Sequence, residues 1–262
     1  MPYLRVSQAE IYFEEIGTGE PVIFFHNSFS RGILAFAAQF AAFQGEFRCY
    51  FPDFRGHGRT TAAFSDWSVP GLADDLPELL SGWGIDRAHL VGYSLGGGVA
   101  LYAASRYPDR VRSLVTIGTA GRVTAAIAAN AADFAPERLL TLRGQEYIDL
   151  LTANHYSALK GDWQQLVTMT TENWRKFPQL STEELAAITV PTLLIAGEQD
   201  PLVGQEDLEW LAGRIGNAVF HVIPGAGHGP HTVGEQPERL NRLMLDFLRS
   251  VAADGHGSGE EG

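Results

Sequence analysis

A chain of 262 residues fits one α/β domain carrying a sizeable insertion. At that length roughly three quarters of the unfolded surface can be buried, so neither disulfides nor a structural metal is needed for a stable core. The apolar share of 45% and charged share of 19% are those of an ordinary soluble globule, and a net charge of −12 excludes nucleic acid and anionic membrane surfaces as partners, since both need a basic face.

Taken in chain order, Met1-Pro2-Tyr3-Leu4-Arg5 lacks the basic and apolar regions of a secretory signal. No apolar run reaches the roughly eighteen residues of a membrane span, so the reading is a soluble, cytoplasmic protein. Glu10 to Ile16 and Val22 to His26 read as strands around the turn Gly17-Thr18-Gly19-Glu20-Pro21. Ile33 to Phe43 has helical spacing, and Cys49 to Pro52 is a strand whose lone cysteine reads as a buried small hydrophobe. Pro70 to Trp83 is a predicted helix with Leu72, Leu76, Leu79 and Leu80 on one face. There follow a strand over His89 to Tyr93, a helix over Leu95 to Tyr107 and a strand over Val111 to Ile117. The later part reads as strand Thr192 to Ala196, helix Glu206 to Arg214, strand Ala218 to Ile223 and helix Pro237 to Val251.

Strands alternating with helices imply a mostly parallel sheet covered on both faces, with ligands at the C-terminal ends of the strands. Residues 122–187 break this rhythm and read as helices alone, over Ala125 to Phe134, Gly144 to Ala158 and Trp163 to Phe177. The expected organisation is therefore a core of residues 1–121 and 188–251, a helical cap of 122–187 inserted after the sixth strand, and a flexible, solvated tail of 252–262.

Chemistry concentrates in Val91-Gly92-Tyr93-Ser94-Leu95-Gly96-Gly97-Gly98, where a strand runs into a G-x-S-x-G turn and a helix leaves it. Glycine on both sides lets neighbouring backbone approach a sharply bent serine, whose Oγ is then exposed at a helix N-terminus that favours developing negative charge. A phosphate loop would need a Lys after the glycines, and a dinucleotide fingerprint would need a third Gly where Leu101 stands. A serine alcohol is a weak nucleophile until a base takes its proton, so an acid and a His should follow in that order. Asp200 follows the strand ending in Ala196-Gly197, with Glu198 as its rival, and His228 lies in Pro224-Gly225-Ala226-Gly227-His228, with His231 as its rival.

With Pro52-Asp53-Phe54-Arg55-Gly56-His57-Gly58, these segments make the chain resemble α/β-hydrolase-fold enzymes of the esterase, lactonase and haloperoxidase-like group, across essentially its whole length apart from the cap. The resemblance implies Ser94 as nucleophile, Asp200 as orienting acid and His228 as general base. It also implies an oxyanion hole made by the backbone N–H groups of Leu95 and, from His26-Asn27-Ser28, of Ser28. Asn27 stands where the family usually has Gly; it either keeps the loop shape by tolerating left-handed backbone or turns its amide into the pocket. His26 and His57 read as structural.

Candidate pocket residues are Asn27, Phe29, Tyr93, Tyr147, Tyr156, Trp163 and Trp174, joined by His155 and Phe177; the two tryptophans suit helix packing equally well. No metal site is expected, because nothing completes a ligand set around His228 and His231, and no cofactor is expected. The expected function is a serine hydrolase cleaving a small, partly apolar carboxylic ester or lactone through an acyl-enzyme. The same three side chains also suit C–C bond hydrolysis of diketones, perhydrolysis or cofactor-free lyase chemistry, and a non-catalytic ligand-binding protein is the alternative from another class.

Overall fold

A computed structural model describes residues 2–7, 9–61 and 67–256. Alternation of apolar side chains builds a sheet with two buried faces. In β3 (Glu20–Phe25), Val22 and Phe24 enter one apolar cluster while Ile23 and Phe25 enter the other. Before it come β1 (Tyr3–Val6) and β2 (Ala9–Ile16); after it come the short helices α1 (Gly32–Ala35) and α2 (Phe40–Phe43), then β4 (Phe47–Pro52). Helices α3 (Val69–Ala73) and α4 (Leu76–Gly82) lead to β5 (Ala88–Tyr93), every residue of which is buried. Helix α5 (Leu95–Arg106) and a 3₁₀ turn (Pro108–Arg110) return the chain to β6 (Val111–Ile117).

Four helices then follow without a strand: α6 (Ala125–Asp133), α7 (Pro136–Leu159), α8 (Trp163–Trp174) and α9 (Thr182–Ala186). The chain ends with β7 (Thr192–Gly197), α10 (Gln205–Ala212), β8 (Ala218–Ile223) and α11 (Pro237–His256). No helix among the described residues is long and apolar enough to cross a membrane.

The strands lie in the order β1-β2-β4-β3-β5-β6-β7-β8. β1 and β2 run antiparallel to their neighbours, and every pair from β4 to β8 is parallel. The chain lays β4 on one side of β3 and β5 on the other, so strand order reverses between β3 and β5, and a crevice opens beyond their C-terminal ends. On one face Phe24 packs among Phe36, Phe43 and Phe51 at ring separations of 5.0, 5.4 and 4.8 Å, and α11 closes that face with Leu240, Met244 and Leu248. On the other face α3, α5 and α10 cover Ile23, Leu90, Leu114 and Leu194. Cys49 is buried, and burial pushes its thiol pKa up to about 12.

Element boundaries depart from the sequence reading where local stereochemistry intervenes. The helix expected over Pro70 to Trp83 breaks at Asp74 and Asp75, so that Pro77, which has no N–H to donate, falls in the first turn of α4. The Ile33 to Phe43 segment splits into α1 and α2, and Gln39 between them turns inward to bond the His231 carbonyl and Asn241. Helix α7 starts at Pro136 and loses helical geometry at Gly144 (φ 79°, ψ 170°), the residue at which the sequence reading began that helix. Helix α8 stops at Trp174, short of the expected Phe177, because the residue before Pro178 is driven out of helical backbone. β1 was not expected: of its four residues Val6 alone is buried, which leaves little apolar pattern to read. Residues 252–256 of the expected tail are instead helical, since α11 continues to His256 through the strong helix formers Ala252 and Ala253; the rest of the expected tail, residues 257–262, lies outside the described residues.

The loop after β4 packs against the segment that follows β3, through His57 on the Ser28 carbonyl, and is organised by a buried carboxyl. Asp53 Oδ2 accepts the Arg59 N–H at 2.9 Å, its carbonyl accepts the Thr60 hydroxyl at 2.6 Å, and Oδ1 has no partner among the described residues. A Cβ at Gly58 (φ 54°) would stand 2.0 Å from Asp53 Oδ2, so both the conformation and the space require glycine there. Burial raises the Asp53 pKa to about 7, from 3.8 for a free carboxyl. The folded state therefore holds this proton more tightly than the unfolded chain; the resulting stability is complete below pH 3.8 and is lost as pH rises towards 7. Asp53→Asn removes that dependence: its stability relative to the parent, measured by urea unfolding, should climb between pH 5 and pH 8 by about 2–3 kcal/mol. A difference independent of pH would show that Asp53 is ionised throughout.

Candidate active site

Three side chains from three strand ends meet in the crevice. Ser94 sits between β5 and α5 with φ 54° and ψ −114°, a sparsely populated conformation for a residue bearing a Cβ. Its surroundings impose that shape: the Ser94 N–H donates to the Ile117 carbonyl at 2.8 Å, and its carbonyl accepts the Thr119 hydroxyl at 2.9 Å. A Cβ at Gly92 would lie 2.3 Å from the Gly96 carbonyl, and one at Gly96 would lie 2.0 Å from the Phe25 carbonyl. The glycines thus let β3, β5 and α5 approach closely enough to hold the bend.

Asp200, after β7, has a fully buried side chain. Its Oδ1 accepts the N–H groups of Leu202 and Val203 at 2.8 and 3.2 Å, while Oδ2 lies 2.8 Å from His228 Nδ1. The other imidazole nitrogen, His228 Nε2, is 3.0 Å from Ser94 Oγ. Since a carboxylate can only accept, Nδ1 carries the proton, and Nε2 presents a lone pair to the serine hydroxyl. The loop bearing His228 is pressed against β7, because a Cβ at Gly197 would meet the Gly227 carbonyl at 2.1 Å.

Neither rival side chain enters this arrangement. Glu198 Oε2 accepts the Gly225 N–H at 2.8 Å. His231 is buried and donates from Nε2 to the Ala35 carbonyl at 3.1 Å, and burial pushes its pKa down to about 3. Among the described residues no three His, Cys, Asp or Glu side chains are grouped to hold a metal ion.

Beside Ser94 lies a cavity of about 470 Å³, into which Ser94, His228, Leu95 and Ser28 all face. Among the described residues no acceptor engages the backbone N–H of Leu95 or of Ser28. Asn27 has no positive φ, so glycine is not required by the backbone at that position. Its side chain borders the cavity instead, and its Oδ1 is shielded from solvent with no partner among the described residues.

Of the other expected pocket residues, Phe29, Tyr147, Trp174 and Phe177 line the cavity, and Tyr93, Tyr156 and Trp163 do not. Tyr93 is spent in the sheet, packing on the rings of His228 and His231 at 5.4 and 4.5 Å. Tyr156 is 60% exposed on the outer side of α7. Trp163 packs against the apolar interior shared by α7 and α8, around Leu139, Ile148 and Leu166. His155 is buried and is also absent from the lining.

The sequence reading missed Ile127, Asn130, Phe134 and Arg143, all of which line the cavity. The first three stand at i, i+3 and i+7, one face of α6 and its C-cap residue Phe134, so helical periodicity carried a signal for them. Arg143 precedes the Gly144 break, and its guanidinium lies 5.2 Å from the Phe134 ring, a contact that no sequence spacing marks. The lining holds no Asp or Glu and is mostly apolar, with polar groups both at the strand ends around Ser94 and, as Asn130 and Arg143, on the helices opposite.

Known proteins match along the same frame. Residues 21–235 match the family model described as alpha/beta hydrolase fold. The chain is 28% identical to a non-heme haloperoxidase of Rhodococcus erythropolis over 95% of this chain and 100% of that one. It is 27% identical to a 3-oxoadipate enol-lactonase of Acinetobacter baylyi over 88% of this chain and 90% of that one. Among solved structures, a thermophilic esterase from Thermogutta terrifontis superposes with a TM-score of 0.76 at 28% identity, over 95% of this chain and 98% of that one. Sheet order, strand-end site and a family match running from β3 to beyond His228 lead to one assignment: the chain belongs to the α/β-hydrolase fold family.

Proposed function

We propose that the protein is a serine hydrolase acting on a small, partly apolar carboxylic ester or lactone. The observation that carries this reading is a serine oxygen 3.0 Å from an imidazole nitrogen whose partner nitrogen is 2.8 Å from a buried carboxylate. Ser94 Oγ attacks the substrate carbonyl carbon as its proton passes to His228 Nε2. Negative charge builds on the former carbonyl oxygen, where the unengaged N–H groups of Leu95 and Ser28 receive it. Asp200 holds the imidazole in the required tautomer and offsets its charge once protonated. The tetrahedral intermediate collapses by breaking the bond to the alcohol oxygen, which takes the proton from His228 and leaves an acyl group on Ser94. Water then attacks that ester with His228 again as base, and the acid departs. In a lactone the alcohol and acid are one molecule, so the product leaves only after the second step.

Residues 122–187 serve in this reading as a cap over the strand ends. They contribute Ile127, Phe134, Tyr147 and Trp174 to the cavity lining, so the acyl or alcohol portion of the substrate meets an apolar wall. The reading requires no cofactor and no metal.

Ser94→Ala and His228→Ala should each lower kcat by about 10⁴ to 10⁶ while leaving the unfolding transition in place. Full turnover by either purified variant would remove that residue from the mechanism. A fluorophosphonate probe should label Ser94 of the parent and fail on both variants. On a panel of p-nitrophenyl esters, lactones and 1,5-diketones, esters or lactones should be turned over, with an acyl-enzyme burst for the activated esters. Cleavage of diketones alone would transfer the proposal to C–C hydrolysis.

A further inference from the structure

Three buried histidines outside the Ser94 site converge on one short stretch of backbone. His26 Nδ1 lies 2.8 Å from the Asn27 carbonyl, His57 Nε2 lies 2.8 Å from the Ser28 carbonyl, and His155 Nε2 lies 3.4 Å from the Phe29 carbonyl. Three successive carbonyl oxygens are thus each met by a different imidazole. One ring comes from the end of β3, one from the loop after β4, and one from helix α7. The rings also pack on one another, His57 standing 5.0 Å from His26 and 5.3 Å from His155.

Backbone donors fix the direction of these bonds. The Phe54 N–H donates to His26 Nε2 at 3.0 Å, so the proton of His26 resides on Nδ1 and points at Asn27. The Gly58 N–H donates to His155 Nδ1 at 3.0 Å, so the proton of His155 resides on Nε2 and points at Phe29. His57 meets carbonyls at both nitrogens; the nearer is Ser28, while the Arg55 carbonyl at 3.2 Å already accepts the Trp67 indole N–H at 2.7 Å. All three rings have lowered pKa values because burial penalises the imidazolium.

The consequence for the site follows from peptide geometry. The Asn27 carbonyl and the Ser28 N–H belong to one planar trans unit and point in opposite directions, so an imidazole holding the former aims the latter. Bonds to the next two carbonyls prevent the following units from rotating and releasing it. His155 brings α7 into this arrangement, and Ala158 strengthens the seat by donating its N–H to the Gly58 carbonyl at 3.3 Å. From α8, the Trp174 indole N–H donates to Ser28 Oγ at 2.9 Å.

We propose that His26, His57 and His155 are positioning residues that set the aim of the Ser28 N–H, and that His155 makes the oxyanion hole depend on the seating of α7. This rests on the hydrolase reading for its kinetic consequence, but not for its geometry.

The test uses the full chain. In ¹⁵N–¹H imidazole correlation spectra at neutral pH, His26 should be the Nδ1–H tautomer and His155 the Nε2–H tautomer; the reverse at either ring overturns the proposal. His155→Asn keeps an acceptor for the Gly58 N–H and loses the donor to Phe29. It should lower both kcat for an activated ester and the rate of fluorophosphonate labelling by about 10- to 100-fold, short of the full loss of an oxyanion donor, with KM little changed. His155→Gln, whose longer amide presents an N–H near the place of Nε2, should recover part of that loss. Labelling and kcat at the parent level in His155→Asn, or a loss carried by KM alone, would overturn the proposal. If His155→Asn fails to fold, the Gln variant and the tautomer spectra decide. Absence of labelling in the parent protein would instead defeat the hydrolase reading, and the spectra would still test the clamp.

Discussion

Ser94 holds φ 54° and ψ −114° against its own preference, a departure of the kind that costs about 1–3 kcal/mol and persists only where surroundings over-determine it. The determinants here are backbone atoms. The Phe25 carbonyl abuts Gly96, the Gly96 carbonyl abuts Gly92, and the Thr119 side chain fills the space beside Gly97. Because β3, β5 and the start of α5 are locked together at this point, the serine oxygen has one place to be. The imidazole of His228 and the cavity wall are arranged around it.

The parallel sheet turns three distant sequence positions into one site. Each strand from β3 onward ends at the same edge, so the loops that follow β3, β5, β7 and β8 converge there, bringing Ser94, Asp200 and His228 into contact distance and Ser28 onto the lining of the same cavity. Reversal of strand order between β3 and β5 leaves room for a ligand between the first two of these loops. The helices between β6 and β7 add apolar side chains, and thereby complete a space that the sheet edge alone would leave open.

Histidine does different work according to what surrounds it. His228 is partly exposed, has a carboxylate on one nitrogen and meets a hydroxyl with the other, an arrangement that suits proton transfer. His26, His57, His155 and His231 are buried among carbonyls and other rings and are held neutral, so they act as directional donors. Buried carbonyls need partners, and a neutral imidazole supplies a donor to one backbone segment while accepting from another. The segment carrying Asn27, Ser28 and Phe29 is irregular and belongs to no ladder, which explains why side chains take over the hydrogen bonding there.

Much of the frame was legible beforehand for a plain reason. Buried parallel strands such as Val22 to Phe25 and Leu193 to Ala196 are continuous apolar runs, and the glycines around Ser94 answer a steric demand local to the chain, so both leave marks within a few residues. Boundaries were less legible where Pro77, Gly144 and Pro178 interrupted helical periodicity, and β1 was invisible because it buries one side chain. Among the pocket residues, Tyr93, Tyr156 and Trp163 have the chemistry of lining side chains, but the rotation of each element turns them elsewhere, while Phe134 and Arg143 face inward. The amino-acid order by itself determined the strand–helix alternation, the bend at Ser94 and the residue types able to serve it, since these depend on neighbours along the chain. The family resemblance already favoured His228 over His231 and Asp200 over Glu198, but only tertiary structure put those side chains within hydrogen-bond reach of one another and of Ser94, and set three imidazoles on one loop, because each of these is a distance between segments that no spacing in sequence specifies.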